Sequence, residues 1–170
     1  MSKATQRTGA ALGATLLVCA AAYAWATAAG DPAAGAVAPK LDALVTVLKA
    51  HHVSAYRDQD WCRNLATPEG NYSTNNETRT CNLFEGAAKP FDAQGERLFT
   101  RVRDAVRRTG LDVERINVDY RGTRVEHVEV GVACTTCHAS YIYAVETASL
   151  PERADVKRIA PDWYYVVERD

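Results

Sequence analysis

From Leu111 to the end of the chain the apolar residues alternate, and that period of two constrains the fold more than any other feature. Successive side chains of a strand point to opposite faces, so alternating apolar and polar residues read as a half-buried strand. Ile116, Val118 and Tyr120 share one face of a first strand. Arg121-Gly122-Thr123 reads as a turn, and Val128, Val130 and Val132 share one face of the strand that returns from it. Tyr141, Tyr143 and Val145 predict a third strand. Trp163, Tyr165 and Val167, alternating with Tyr164 and Val166, predict a fourth, joined to the third through Leu150-Pro151 to Pro161.

Upstream the period is helical. Leu41, Leu44, Val45 and Leu48 stand at i, i+3, i+4, i+7 and predict a helix from about Lys40 to His52. A looser, Asn-rich segment follows through Asn82. Phe91-Asp92 opens a second helix with Leu98, Val102, Ala105 and Val106 as its apolar stripe, and Thr109-Gly110 stops it, glycine tolerating the left-handed cap. Arg97, Arg101, Arg103, Arg107 and Arg108 fall mostly off that stripe and read as a solvated face. The expected fold class is α+β: an antiparallel sheet of about four strands with one or two helices packed on one face.

The N-terminus carries an address. Lys3 and Arg7 precede an alanine-rich apolar run from Thr8 to Gly30, with small residues at its exit, as in an export signal. Ala24-Trp25-Ala26 and Ala26-Thr27-Ala28 both fit the small-x-small cleavage rule, and the run is also long enough to stay as an anchor. Val18 is bulky where a lipid attached at Cys19 would want a small residue. Residues 1–29 thus read as a signal peptide or uncleaved N-terminal anchor, 30–39 as a linker, and 40–170 as a single extracytoplasmic domain. The domain is secreted, or tethered to the membrane through residues 8–29. The net charge is −1, too weak to imply nucleic acid as a partner or attraction to an anionic membrane. Residues 97–124 hold eight Arg against four acids and 125–170 four bases against eight acids, which reads as two faces of one fold.

Export changes how the cysteines are read. Beyond the leader stand Cys62, Cys81, Cys134 and Cys137, an even count that favours disulfides and allows three pairings. Cys62 and Cys81 bracket a polar stretch with Pro68, Gly70 and several Asn, a loop that needs fastening. A bridge there stabilises by roughly 3 kcal/mol on the loop-entropy model.

Cys134-Thr135-Thr136-Cys137-His138 spells C-x-x-C-H, the attachment signal for c-type haem. Two thiols form thioethers to the porphyrin and the adjacent His138 becomes the proximal iron ligand, outside the cytoplasm. The setting is unlike a haem site: strand-like alternation flanks the motif, whereas the haem histidine usually follows on a short helix. Met1 is the sole methionine, so a sixth ligand would have to be His51, His52 or His127, or the site would stay open. His51 and His52 end the first helix, where the dipole favours them, and His127 alternates outward with Val125 and Glu129. The competing reading is a Cys134–Cys137 disulfide across the corner between the second and third strands, with His138 an ordinary polar residue. β-Branched Thr135-Thr136 suits no tight hairpin, so that corner must be wide or the bridge strained. A thioredoxin-like dithiol lacks its βαβ context, and a zinc site lacks a fourth ligand.

Nothing else forms a catalytic constellation: no G-x-S-x-G, H-E-x-x-H, Walker loop or dinucleotide glycine pattern is present. Asp58, Asp60 and Glu69 are loop acids. The sequons Asn71-Tyr72-Ser73 and Asn76-Glu77-Thr78 mark an exposed loop. Tyrosines 141, 143, 164 and 165 read as cross-strand packing pairs.

Trp61-Cys62-Arg63-Asn64-Leu65, Thr80-Cys81-Asn82-Leu83-Phe84, Phe91-Asp92, Ser140-Tyr141-Ile142-Tyr143 and Asp162-Trp163-Tyr164-Tyr165 carry a resemblance. Over about residues 60–170 the chain resembles a set of small exported proteins of unknown function from high-GC Gram-positive bacteria. The resemblance implies a Cys62–Cys81 pair and a closing aromatic strand, and no activity. The expectation is an exported, disulfide-stabilised domain with a binding or structural role toward an extracytoplasmic partner, more that than an enzyme, and without cofactor. The alternative is a mono-haem c-type protein for electron transfer or gas sensing, with haem on Cys134 and Cys137.

Overall fold

Gly122, at φ 61°, turns the chain between two paired strands where a turn is expected. A left-handed residue without a Cβ is what such a hairpin requires. The structure, a computed structural model, describes residues 32–74, 81–144 and 155–169. In chain order the elements are α1 (Pro32–Ala50), β1 (Ala55–Gln59), β2 (Cys62–Thr67), β3 (Gly70–Ser73), α2 (Ala93–Thr109), β4 (Val113–Arg121), β5 (Arg124–Val132), β6 (Cys137–Ala144), β7 (Asp155–Ala160) and β8 (Trp163–Arg169). The strands form one sheet in the order β3-β2-β1-β4-β5-β6-β8-β7, antiparallel at every step. The expectation of about four strands is corrected: the described residues hold eight, with both helices packed on one face.

The unexpected strands are β1, β2, β3 and β7. The first three carry a single large apolar side chain each, Tyr56, Leu65 and Tyr72, too few to show a period. Register makes them one feature: Tyr72 faces Leu65, Leu65 faces Tyr56, and Tyr56 faces Ile116. The row runs on through Val130 and Tyr141 to Tyr165, crossing seven strands as the spine of the inner face. β7 carries Lys157 and Arg158 and reads as a linker, but charge on an edge strand is what keeps an open edge from pairing with another chain.

Residues 35–170 form one compact unit, and of the first 34 residues only 32–34, the start of α1, are described. The leader, Cys19, the second sequon and Val145 lie outside the described residues. Among the described residues no helix is long and apolar enough to cross a membrane. α1 starts earlier than Lys40, so residues 32–39, expected as linker, are helical. Buried Val37 and Ala38 prolong the stripe of Leu41, Leu44 and Leu48 and carry the helix through Pro39. Tyr120 Oη donates to the carbonyls of Leu48 and Val53, fastening the end of α1 to the sheet, and burial pushes its pKa up to about 12.

α2 keeps its expected ends. The Asp92 carboxylate accepts from the N–H groups of Gln94 and Gly95 at 3.0 and 2.8 Å, and Gly110 caps the far end at φ 75°. The Gly95 N–H above all, then Lys89, holds the Asp92 carboxyl below its ordinary range. Phe99 is fully buried in the stripe while Leu98 is only partly so, which corrects the expected stripe by one position. Gly95 is required by packing, because a Cβ there would lie 2.6 Å from the Tyr72 ring.

Candidate functional site

Both disulfides expected from the residues are present. Cys62 pairs with Cys81 and Cys134 with Cys137, at Cα separations of 5.5 and 5.4 Å, inside the span a bridge needs. The corner between β5 and β6 is wide: Val132 with Ala139 is the last ladder pair, leaving residues 133–138 outside it. Thr135 and Thr136 therefore need no left-handed backbone, and neither has a positive φ. Cys134, Thr135, Thr136 and His138 are exposed and Cys137 is half-buried. Cys62 and Cys81 are 1% and 0% exposed. On the loop-entropy model the longer closure is worth about 3 kcal/mol and the four-residue one about 2 kcal/mol.

The corner does not have the shape of a haem site. Cys134 and Cys137 are joined to each other. Cys137 and His138 are neighbours on a strand, so in this arrangement they face opposite sides of the sheet, unlike the shared side that a haem site uses. The expected sixth ligands stand at the other end of β4. Val113 pairs with Val132 beside the corner, whereas Tyr120, against whose ring His52 packs at 4.9 Å, is seven residues further along. At about 3.3 Å per residue that is roughly 20 Å. His51 stands beside His52 and takes a 3.0 Å contact from Arg101, and His127 pairs with Asp119 at 3.4 Å. The haem and disulfide readings divide on one measurement. The unreduced intact mass is expected to be four hydrogens below the reduced mass, with no Soret band. A mass gain of one haem would overturn the disulfide assignment.

The sheet face away from the helices carries the other candidate. Arg57 on β1 and Arg115 on β4 are direct cross-strand neighbours. Arg115 lies across Gly131, where a Cβ would meet its Cγ at 2.9 Å, and its Nη2 bonds Glu129 at 2.9 Å. Asn117 donates to the other Glu129 oxygen at 3.3 Å. Arg57 donates to the Cys81 carbonyl at 3.1 Å and stands over the exposed Trp61 ring at 5.5 Å. Burial first, then Arg115, holds the Arg57 guanidinium below its ordinary pKa. Next along the face is the His127–Asp119 pair. His127 faces outward as expected, but Val125 does not accompany it. A bulge at Glu126 sets Val125 against Tyr120 and turns it into the core.

The remaining sequence candidates resolve into structure. Asn71 is half-buried on β3 and Ser73 is 2% exposed, so that sequon is no exposed loop. Asp58 lies on β1 and accepts from Tyr56 Oη at 3.4 Å. Burial, with Asp58 second, raises the Tyr56 hydroxyl well above its ordinary pKa. Tyr141 packs on Tyr165 and Tyr143 on Trp163, as expected of cross-strand pairs, while Tyr164 faces the opposite side with Ile142, Ala144 and Val166. Arg97, Arg101, Arg107 and Arg108 are exposed as expected of a solvated helix face, and Arg103 is half-buried. Among the described residues no three His, Cys, Asp or Glu are grouped to hold a metal. Sequence reasoning missed the Arg57–Arg115 pair. Alternation marks Arg115, Asn117 and Glu129 as outward-facing, but only the β1–β4 pairing brings Arg57 beside them.

Fold and sites together define a helix-backed antiparallel sheet, cross-linked twice, with a half-buried polar patch and a buried apolar cluster on its other face and one exposed C-x-x-C corner. The chain matches no protein-family model, no curated protein and no solved structure.

Proposed function

We propose that the chain is an exported binding domain, fastened by its disulfides, whose outer sheet face takes an acidic extracytoplasmic partner. The observation that carries this reading is the Arg57–Arg115 pair, two arginines whose Cα positions stand directly opposite on neighbouring central strands, with their head groups diverging toward Cys81 and Glu129. Like charges in that position destabilise a sheet. Burial and Arg115 disfavour the charged form of Arg57 while Glu114 favours it, and an incoming carboxylate adds to the favourable side. Asn117 and His127 lie beside it, paired with Glu129 and Asp119, and Trp61 adds an exposed ring. The leader supports export, and two disulfides suit an oxidising compartment.

A hexaglutamate peptide titrated into the ¹⁵N-labelled chain tests this. Amide shifts are expected to gather at residues 57, 115, 117, 127 and 129, to weaken with added salt, and to vanish in Arg57→Gln/Arg115→Gln. Shifts that are absent, or scattered away from this face, would sink the reading.

A further inference from the structure

We propose that the Cys134–Cys137 bridge is a thiol–disulfide exchange site that accepts two electrons from a dithiol. The two bridges of this chain stand in opposite surroundings. Cys62–Cys81 is buried, and the Cys81 carbonyl is bound by both Asn64 and Arg57, so a reductant reaches it only when that part of the fold opens. Cys134–Cys137 lies at the surface, on a connection whose two strands are already held together by their own ladder from Val132–Ala139 inward. It joins residues three apart, so opening it returns less entropy to the chain than opening the longer Cys62–Cys81 closure. Of its two residues Cys134 is exposed and Cys137 half-buried, so its opening uncovers no part of the core. A bridge that adds less to the fold than its buried counterpart and meets solvent is placed to be broken and remade.

The exchange balances without a cofactor. A thiolate of the donor attacks Cys134 Sγ, the sulfur on the more exposed residue. A donor–Cys134 bond forms, the Sγ–Sγ bond breaks, and the Cys137 sulfur leaves with the electron pair and takes a proton from water. The second donor thiol, deprotonated, then attacks the donor sulfur of the mixed disulfide and releases Cys134 as a thiolate, which is protonated in turn. The donor departs as a disulfide and the chain holds two thiols, two electrons and two protons having moved. No helix N-terminus is needed to activate a cysteine, because the chain enters as the disulfide and the attacking thiolate belongs to the donor. This inference is independent of the acidic-partner reading, since the corner and the Arg57–Arg115 pair share no residue.

The test exposes the oxidised full chain to dithiothreitol, quenches with a maleimide at intervals, and locates the labelled cysteines by peptide mass. Cys134 and Cys137 are expected to be labelled about 100-fold faster or more than Cys62 and Cys81, with the near-ultraviolet circular dichroism unchanged while only the first bridge is open. A Cys137→Ala chain given glutathione disulfide is expected to gain a glutathione at Cys134, located by peptide mass. Equal labelling rates for the two bridges, or opening of Cys134–Cys137 only as the tertiary signal collapses, would overturn the proposal. The wild-type rates decide it even if the variant fails to fold.

Discussion

Trp163→Ala is expected to lower stability by about 3–5 kcal/mol, the range for truncating a buried aromatic side chain. Trp163 is 2% exposed on the inner face of β8, edge-on to Tyr143 at 5.6 Å. Its indole Nε1 donates to Asp42 Oδ1 on α1 at 2.8 Å, so one side chain joins the sheet near its far edge to the first helix. Truncation opens a cavity where α1 meets the sheet and removes that tether. Trp163→Phe separates the two effects: it keeps most of the packing, loses the hydrogen bond, and should cost about 1 kcal/mol for the bond, beyond any packing change. Urea unfolding followed by far-ultraviolet circular dichroism measures both. A loss below about 1.5 kcal/mol for the alanine variant would mean that α1 is not seated on this part of the sheet.

Cys62→Ala/Cys81→Ala is the second large effect, a loss of about 3 kcal/mol or more and a fall in Tm of roughly 10 °C. The bridge ties β2 to the chain beyond β3, and its removal also leaves gaps at two positions that are 1% and 0% exposed. Asn64, 0% exposed, bonds the Cys81 carbonyl and would lose its fixed partner. Cys134→Ala/Cys137→Ala should cost less, about 2 kcal/mol at most, since it removes a shorter closure from an exposed corner. Thermal melts of the two double variants, side by side, check the order. A larger loss from the exposed pair would contradict the division between a bridge that holds the fold and one free to exchange.

The β4–β5 hairpin, β6, β8 and α2 were legible because each follows a local rule over most of its length. Alternation gives β4, β5, β6 and β8 their inner faces, Gly122 supplies the turn, and Asp92 and Gly110 mark the ends of α2. Stretches of β1, β2 and β3 such as Arg57-Asp58-Gln59 and Arg63-Asn64 break those rules, and each of these strands holds a single large apolar side chain. Their strand character comes from partners: Tyr56 between Leu65 and Ile116, and Leu65 between Tyr56 and Tyr72. The partner that ties this group to the rest of the sheet, Ile116, lies sixty residues from Tyr56, beyond any local window. The same holds for Val125, whose face is set by one extra residue, Glu126, in the ladder.

The candidate sites divide along the same line. The cysteine spacing and the polar loop were enough to expect the Cys62–Cys81 bridge and to leave Cys134 and Cys137 between a bridge and a haem, because loop closure and C-x-x-C spacing are properties of the chain itself. Which bridge is buried and which is exposed, that Cys137 and His138 turn to opposite faces, and that Arg57 meets Arg115 were decided by tertiary structure alone. Burial and cross-strand charge are sums over residues remote in sequence, and they take a value only when the strands are in order.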